Sequence, residues 1–350
     1  MDNSSQRKIL QVGPECQAPQ LAGQLTAALA GDGPTLGFGE ISSETASVKT
    51  AVVVGTSGSS GPAKEISLSP RALLSSARAS NAYLGAKPGD TWSLLLPLTH
   101  IAAVNVFIRS IELGTLPIDL RNFVGDYPRA NFTAIVPTQL FRALNGDNRL
   151  LKHLQSAETV IVGGANLAPG LRNQAGAAGI KVVTTYGMSE TSGGCVYNGE
   201  NLDGVETEIR QGLIYIRGPV LATDLELHDG WFKTSDLGEL NDDKLTVLGR
   251  ADDVIITGGE NLSLSFVESI LIQNFPGLEF AAFAVNDPQW GQMLHVAVVG
   301  NIESSAIYSI LESEIGAFAK PKGIHPMNSL PLLGIGKIDR KRLAQEILNE

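Results

Sequence analysis

Cysteine is nearly absent from this chain. Its 350 residues contain two, Cys16 and Cys195. That is too few for a disulfide framework or a zinc cluster and fits a reducing compartment, so a cytoplasmic location is expected. An excess of positive charge is missing as well. The formal net charge is −10, which argues against a nucleic-acid partner, because phosphate backbones are held by basic surfaces. A local basic pocket stays open. No apolar run is long enough to span a bilayer: the most apolar stretch, around 92–108, is interrupted by Pro97, Thr99, His100 and Asn105. No membrane insertion is therefore expected. The opening MDNSSQRKILQVG has no apolar core of the kind a signal peptide carries.

Glycine, by contrast, is abundant at 38 residues, which implies many tight turns or close backbone approaches to a ligand. The length suits two domains rather than one small core. Residues 1–48 are mixed in character and lead into an apolar strand at 51–54. SPRALLSSARASNAYLGA at 69–86 reads as an amphipathic helix with Ser69 as N-cap and Pro70 at the first position. A buried strand at 93–97 and a helix at 100–114, closed by Gly114, come next. Short β-branched runs at 133–137, 159–164 and 181–187 alternate with loops or helices, the pattern of a parallel α/β sheet with its ligand at the strands' C-terminal ends.

After 203 the texture changes to antiparallel strands with Gly and Asn-Asp-Asp turns. From 253 onward the pattern is mixed α+β: a helix near 263–274, strands at 280–286 and 294–300, and helices at 304–319 and 339–348. The expected fold is α/β. A large N-terminal domain, 1–249, has a mainly parallel sheet plus antiparallel strands. A hinge at 250–252 joins it to a small mobile α+β domain, 253–350.

TSGSSGPAK at 56–64 follows the first strand and suggests a phosphate loop, yet it fails the Walker pattern. No glycine precedes Lys64, and Glu65 stands where a magnesium-binding Ser or Thr is required. Backbone amides and hydroxyls of Thr56, Ser57, Gly58, Ser59, Ser60 and Gly61 can still wrap phosphates as an anion nest, with Lys64 adding charge. A flexible Ser/Gly connector is the bland alternative.

Four further motifs lie in order along the chain: YGMSET at 186–191, WFKTSD at 231–236, GRADDVIITGGEN at 249–261 and GIGKIDR at 334–340. With the loop, they resemble the adenylate-forming superfamily of acyl-CoA synthetases, luciferases and peptide-synthetase adenylation domains, over roughly residues 51–345. The loop departs slightly from that pattern, with Ser59 and Ser60 where Thr is common and Pro62 one place early.

The resemblance implies that Tyr186 stacks on adenine, that Gly187 admits the ligand, and that Thr185, Met188 and Ser189 complete this ATP-binding run. Gly163, Gly164 and Ala165 line adenine's other face. Glu190 helps hold Mg²⁺, Asp236 accepts from the ribose hydroxyls as an acceptor-only carboxylate, and Arg250 and Asp252 sit at the hinge. Lys337 is the implied catalytic lysine of acyl-adenylate formation, stabilising charge as it develops. Gly258 and Gly259 offer a flat backbone to a pantetheine tunnel. Coenzyme A is the expected thiol, since no carrier segment follows residue 350.

The compact chain, with PLTHIAAVNVFIRSI at 97–111 and VPTQL at 136–140, is similar to the short o-succinylbenzoate–CoA ligases of menaquinone synthesis. That acid has two carboxylates and only one is activated, so the other needs an anchor. His100, Arg109, Thr138 and Gln139 are the candidates, with Arg109 also readable as a helix-surface charge. Another aryl or short acyl acid, a non-catalytic adenylate-binding homologue and a homodimer remain open at this point.

Overall fold

The computed structural model describes residues 5–56, 64–287, 291–331 and 338–348. Among them four sheets form. In the first, the strands run Thr45–Ser47, Gln6–Gln11, Thr35–Phe38, Val52–Thr56 and Lys64–Leu68 from edge to edge, and the inner three are parallel. Residues 1–48, unassigned by the sequence pattern, supply three of these strands and the helix Ala18–Ala30. The pattern is faint because Gln6–Gln11 buries no residue fully, so no period-2 alternation reaches the sequence. Pro19 in the first turn and left-handed Gly31 at the C-cap bound the helix, and both are readable in retrospect.

The second sheet carries the expected parallel core. Val182–Met188, Thr159–Val162, Phe132–Ile135, Trp92–Leu94 and Ile118–Asp119 are parallel neighbours in that order. Gly193–Tyr197 and Glu200–Asn201 extend it antiparallel. Thr159–Val162 and Phe132–Ile135 are buried along their whole length, as strands covered on both faces must be. Helix Pro70–Leu84 begins as expected: Ser69 Oγ accepts from Ala72 N at 3.2 Å, and Gly85 closes the helix left-handed. The second predicted helix is Ile101–Glu112.

Beyond 203, antiparallel strands Glu206–Arg210, Leu213–Arg217, Trp231–Asn241 and Lys244–Arg250 form the third sheet, with Leu227–His228 on the other side of Trp231–Asn241. Asp242 and Asp243 both adopt positive φ, the requirement of a two-residue I′ hairpin turn. Pairing then changes hands at 250–254. Val254–Thr257, Glu260–Ser263, Glu279–Asp287, Gly291–Val299 and Gly323–Met327 make the fourth sheet. Helices Leu264–Asn274, Ser304–Glu314 and Arg340–Leu348 complete this part. The helix expected over 304–319 ends five residues early. Gly316, at φ +132°, breaks it, and a 3₁₀ turn at Ala317–Ala319 follows. Across the junction, Gly170 N, near the start of helix Pro169–Ala177, donates to Glu314 Oε2 at 2.9 Å.

Candidate active site

The site grows from the C-terminal end of the parallel sheet. Strand Val182–Met188 leaves the parallel stack there and pairs antiparallel with Gly193–Tyr197 through a bulge at Tyr186/Gly187. Backbone crowding dictates the sequence at this point. A Cβ on Gly187 would lie 2.1 Å from the Gly193 carbonyl oxygen, and one on Gly194 would lie 1.9 Å from Thr185 Oγ1. Gly163, at the end of the neighbouring strand, faces Thr185 from the other side: a Cβ there would come within 2.4 Å of Thr185 Cγ2. Thr185 is thus gripped between two glycines, and its buried Oγ1 has no hydrogen-bond partner among the described residues. Gly164 is left-handed, at φ +82°, and Gly164 and Ala165 are exposed at the strand's end.

Tyr186 points at the third sheet. Its hydroxyl donates to Asp236 Oδ2 at 2.8 Å, joining two candidates fifty positions apart. Asp236 N donates to Thr234 Oγ1, which itself donates to the Ile214 carbonyl at 2.8 Å, so the carboxylate stands on a fixed backbone. Burial pushes the Asp236 carboxyl above the usual carboxylate range, against the lowering pull of the Tyr186 hydroxyl and of Arg250. Burial, reinforced by the Asp236 charge, raises the Tyr186 phenol well above its ordinary value, so Tyr186 remains a neutral donor. Arg250 faces Asp236 across the strand pair, and its Nε donates to Asp252 Oδ1 at 3.0 Å. Met188 N donates to Thr191 Oγ1, and a 3₁₀ turn at Ser189–Thr191 presents half-buried Glu190.

Ser192 and Gly193, which the sequence reading did not single out, brace this turn. Ser192 is buried and left-handed at φ +53°. Its carbonyl accepts from Asn105 Nδ2 at 2.8 Å and from Ser76 Oγ at 3.2 Å, pinning the turn to two helices. The Gly193–Gly194 pair, one residue beyond YGMSET, was the available signal.

Known proteins match this chain. The model of the AMP-binding enzyme family matches residues 9–230, and that of the AMP-binding enzyme C-terminal domain matches 267–337. The chain belongs to the AMP-binding enzyme family. Among curated relatives, a probable 2-succinylbenzoate–CoA ligase of Mycobacterium tuberculosis is 37% identical over 86% of this chain and 85% of its own length. The 2-succinylbenzoate–CoA ligase of Lactococcus lactis is 29% identical over 84% and 71%. Among solved structures, the o-succinylbenzoate CoA synthetase of Bacillus subtilis in complex with the acyl-adenylate intermediate superposes with TM-score 0.70 at 25% identity. It covers 84% of this chain and 69% of that one.

The remaining candidates of this AMP-binding enzyme fall in several places. Ser57, Gly58, Ser59, Ser60, Gly61 and Lys337 lie outside the described residues. Thr56 and Lys64 frame the loop as paired ends of an antiparallel hairpin, with Thr56 Oγ1 donating to the Lys64 carbonyl at 3.1 Å. Glu65, the residue that broke the Walker pattern, accepts from Ser42 N at 2.6 Å, Ser42 Oγ at 2.7 Å and Ser43 N at 3.1 Å. It ties the loop's base to the 40–43 turn.

His100 is exposed at the start of its helix, and Thr138 is exposed as well. Gln139 caps its own helix: Oε1 accepts from Val136 N and Nε2 donates to the Leu95 carbonyl, both at 3.1 Å. Arg109 is not the surface charge that its helix position allowed. It is 4% exposed, packs over the Trp92 ring at 4.9 Å, and donates through Nη2 to the Tyr197 hydroxyl at 3.0 Å. Gly258 and Gly259 form no flat backbone. Both are left-handed, at φ +59° and +89°, and turn the hairpin between Val254–Thr257 and Glu260–Ser263.

A separate cleft of about 630 Å³ opens beside strand Trp231–Asn241, lined by Leu237, Glu239, Leu248, Ile256 and Asn261 among others. Neither Tyr186 nor Asp236 lines it, so this cleft is not the Tyr186–Asp236 site.

Proposed function

We propose that the chain is an AMP-forming acid–CoA ligase whose acid is 2-succinylbenzoate. The observation that carries the reading is the Tyr186–Asp236 contact at the end of the parallel sheet, in a chain 37% identical to a probable ligase of that acid. An aromatic ring and a carboxylate on rigid strands suit adenine stacking and recognition of the ribose diol.

In the first half-reaction a carboxylate oxygen of the acid attacks the α-phosphorus of ATP. The new O–P bond forms as the bond to pyrophosphate breaks. The loop 56–64 cradles the β- and γ-phosphates, and Lys337 stabilises the charge developing between carboxylate and phosphate. In the second, the thiol of coenzyme A attacks the acyl carbon; the C–S bond forms, AMP leaves, and the thiol proton goes to solvent.

Mg²⁺ is bound by one or two carboxylates together with substrate phosphates. Glu190 is the carboxylate proposed to take that role, and the ion would neutralise phosphate charge. Residues 1–249 form the substrate-binding domain in this reading, and 253–350 rotates about 250–252 between the two half-reactions. Arg109 is the favoured anchor for the acid's unreacted carboxylate. It is a buried cation with no ion pair among the described residues, and its Nε has no hydrogen-bond partner. Cytoplasmic location and assembly as a homodimer belong to the same proposal.

The test is pyrophosphate release from ATP against a panel of acids, with and without coenzyme A. Release with 2-succinylbenzoate, followed by AMP and thioester once coenzyme A is added, is expected. Release with simple benzoates but not 2-succinylbenzoate would overturn the choice of acid, and silence with every acid would overturn the ligase itself.

A further inference from the structure

One guanidinium draws together the parts of the C-terminal region that the ligase reaction has to coordinate. Arg340 opens the last helix, three positions after Lys337. Its Nε donates to the Ala282 carbonyl at 2.8 Å, in strand Glu279–Asp287. Its Nη2 bridges both carboxylate oxygens of Glu268, at 2.9 and 2.8 Å, in helix Leu264–Asn274. The same Nη2 lies 3.4 Å from Asp253 Oδ1, in the turn directly after the proposed hinge.

The acceptors are themselves fixed. Glu268, 9% exposed, also takes Ala282 N at 2.8 Å. Asp253 Oδ2 accepts from Ser265 N at 2.9 Å and from the hydroxyls of Ser263 and Ser265, while Asp253 N donates to the Arg250 carbonyl at 3.0 Å. Beside Arg340, Asp339 N donates to the Pro331 carbonyl at 2.9 Å, which joins the two flanks of the segment 332–337. The Glu268 carboxylate is nearly buried while the Arg340 side chain stays about one-third exposed, so the pair is a weak source of stability and its geometry is its main contribution.

We infer that Arg340 is a positioning residue for acyl-adenylate formation. With Glu268 and Asp253 it fixes the start of the last helix, three positions after Lys337, to the turn that follows the hinge. This rests on the ligase reading and on the role given to Lys337. Arg340 touches neither substrate nor reacting atoms; it determines where the lysine arrives. The planar guanidinium suits this role, because its Nε and Nη2 reach the Ala282 carbonyl and the Glu268 carboxylate at once, which a single ammonium does less well.

The test measures both half-reactions in the full-length enzyme: pyrophosphate release from ATP and 2-succinylbenzoate, and thioester formation from supplied acyl-adenylate and coenzyme A. Arg340→Gln is expected to lower kcat of the first step about 10–100-fold, the scale of a misplacement of about 1 Å. KM for ATP and for the acid should stay within about twofold, and thioester formation within about threefold. Arg340→Lys should recover part of the lost kcat.

Glu268→Gln removes the bidentate acceptor from the other side. It should reproduce the same split, and it supplies the measurement if Arg340→Gln does not fold. Equal loss in both half-reactions would show a merely structural pair and overturn the inference, as would unchanged adenylation. Lys337→Ala, assayed in parallel, separates the two ideas. Adenylation surviving in Lys337→Ala defeats the underlying role of the lysine. Adenylation lost there but intact in Arg340→Gln and Glu268→Gln defeats the positioning inference alone.

Discussion

The two sides of the 250–253 turn hold their important residues by different means. Upstream, Thr185, Tyr186 and Gly187 are fixed by backbone crowding: Gly163, Gly187 and Gly194 leave no room for even a methyl group. Downstream, Arg340, Glu268 and Asp253 are fixed by charged side chains that reach across three elements. In the proposed ligase, the first arrangement would keep a nucleotide site rigid, since close-packed backbone adjusts little. The second would let the rotating part move intact, since its contacts are internal to it. The polar contact from Glu314 to Gly170 N crosses between the two parts, and any rotation about the turn has to break it.

The comparison can be broken or sharpened experimentally. The largest expected effect is from Lys337→Ala, which should reduce acyl-adenylate formation at least about 10²–10³-fold while sparing thioester formation from supplied adenylate. Rapid-quench assay of the two steps checks it, and equal loss in both would mean that the two parts do not divide the labour.

Next comes Gly187→Ala. A Cβ 2.1 Å from the Gly193 carbonyl forces the bulged strand pair apart, an overpacking that costs about 1–3 kcal/mol. Thermal unfolding should show the loss, together with weakened ATP binding. A variant as stable and as tight as the parent would refute the crowding account.

Tyr186→Phe keeps the ring and removes the donor to Asp236. Losing a hydrogen bond to this half-buried carboxylate costs about 1–3 kcal/mol, but in the proposed ATP complex the ribose hydroxyls would take its place. The stabilisation by saturating ATP, read as a shift in Tm, should therefore be larger in Tyr186→Phe than in the parent. A smaller shift would remove Asp236 from the ribose site.

The smallest effect concerns Glu65 at the base of the phosphate loop. Burial pushes its carboxyl up, but hydrogen bonds from Ser43 and Ser42 outweigh it and hold the group at about 2. A carboxyl lowered in the fold stabilises fully above its unfolded value, near 4.5, and that stabilisation disappears as pH falls through about 2. Because the half-buried group is still partly screened by solvent, the parent should exceed Glu65→Gln by only about 1–2 °C in Tm at neutral pH. The gap should close between pH 4.5 and about 2, and a gap independent of pH would assign the difference to packing.

What the sequence determined by itself was the local chemistry. Helix Pro70–Leu84, with its Ser69 cap, and the Asp242–Asp243 turn were readable because caps and I′ turns depend on neighbouring residues alone. The buried runs of the parallel sheet were readable because strands covered on both faces must be apolar throughout. The order of five short motifs pointed to the family, and the family matches bear that out.

Tertiary structure decided the rest. The exposed strand Gln6–Gln11 is a strand because Thr35–Phe38 and Thr45–Ser47 offer it partners, which no local pattern reveals. Arg109 is buried because its helix packs that face against Trp92 and Tyr197. Gly258 and Gly259 were read for a ligand, yet the hairpin they turn already requires both. Tyr186 with Asp236, and Arg340 with Glu268, are distant pairs in the chain that meet only when separate sheets and helices pack. Sequence spacing fixes which face of its own element a side chain occupies; only the packing of that element against others decides what the side chain meets.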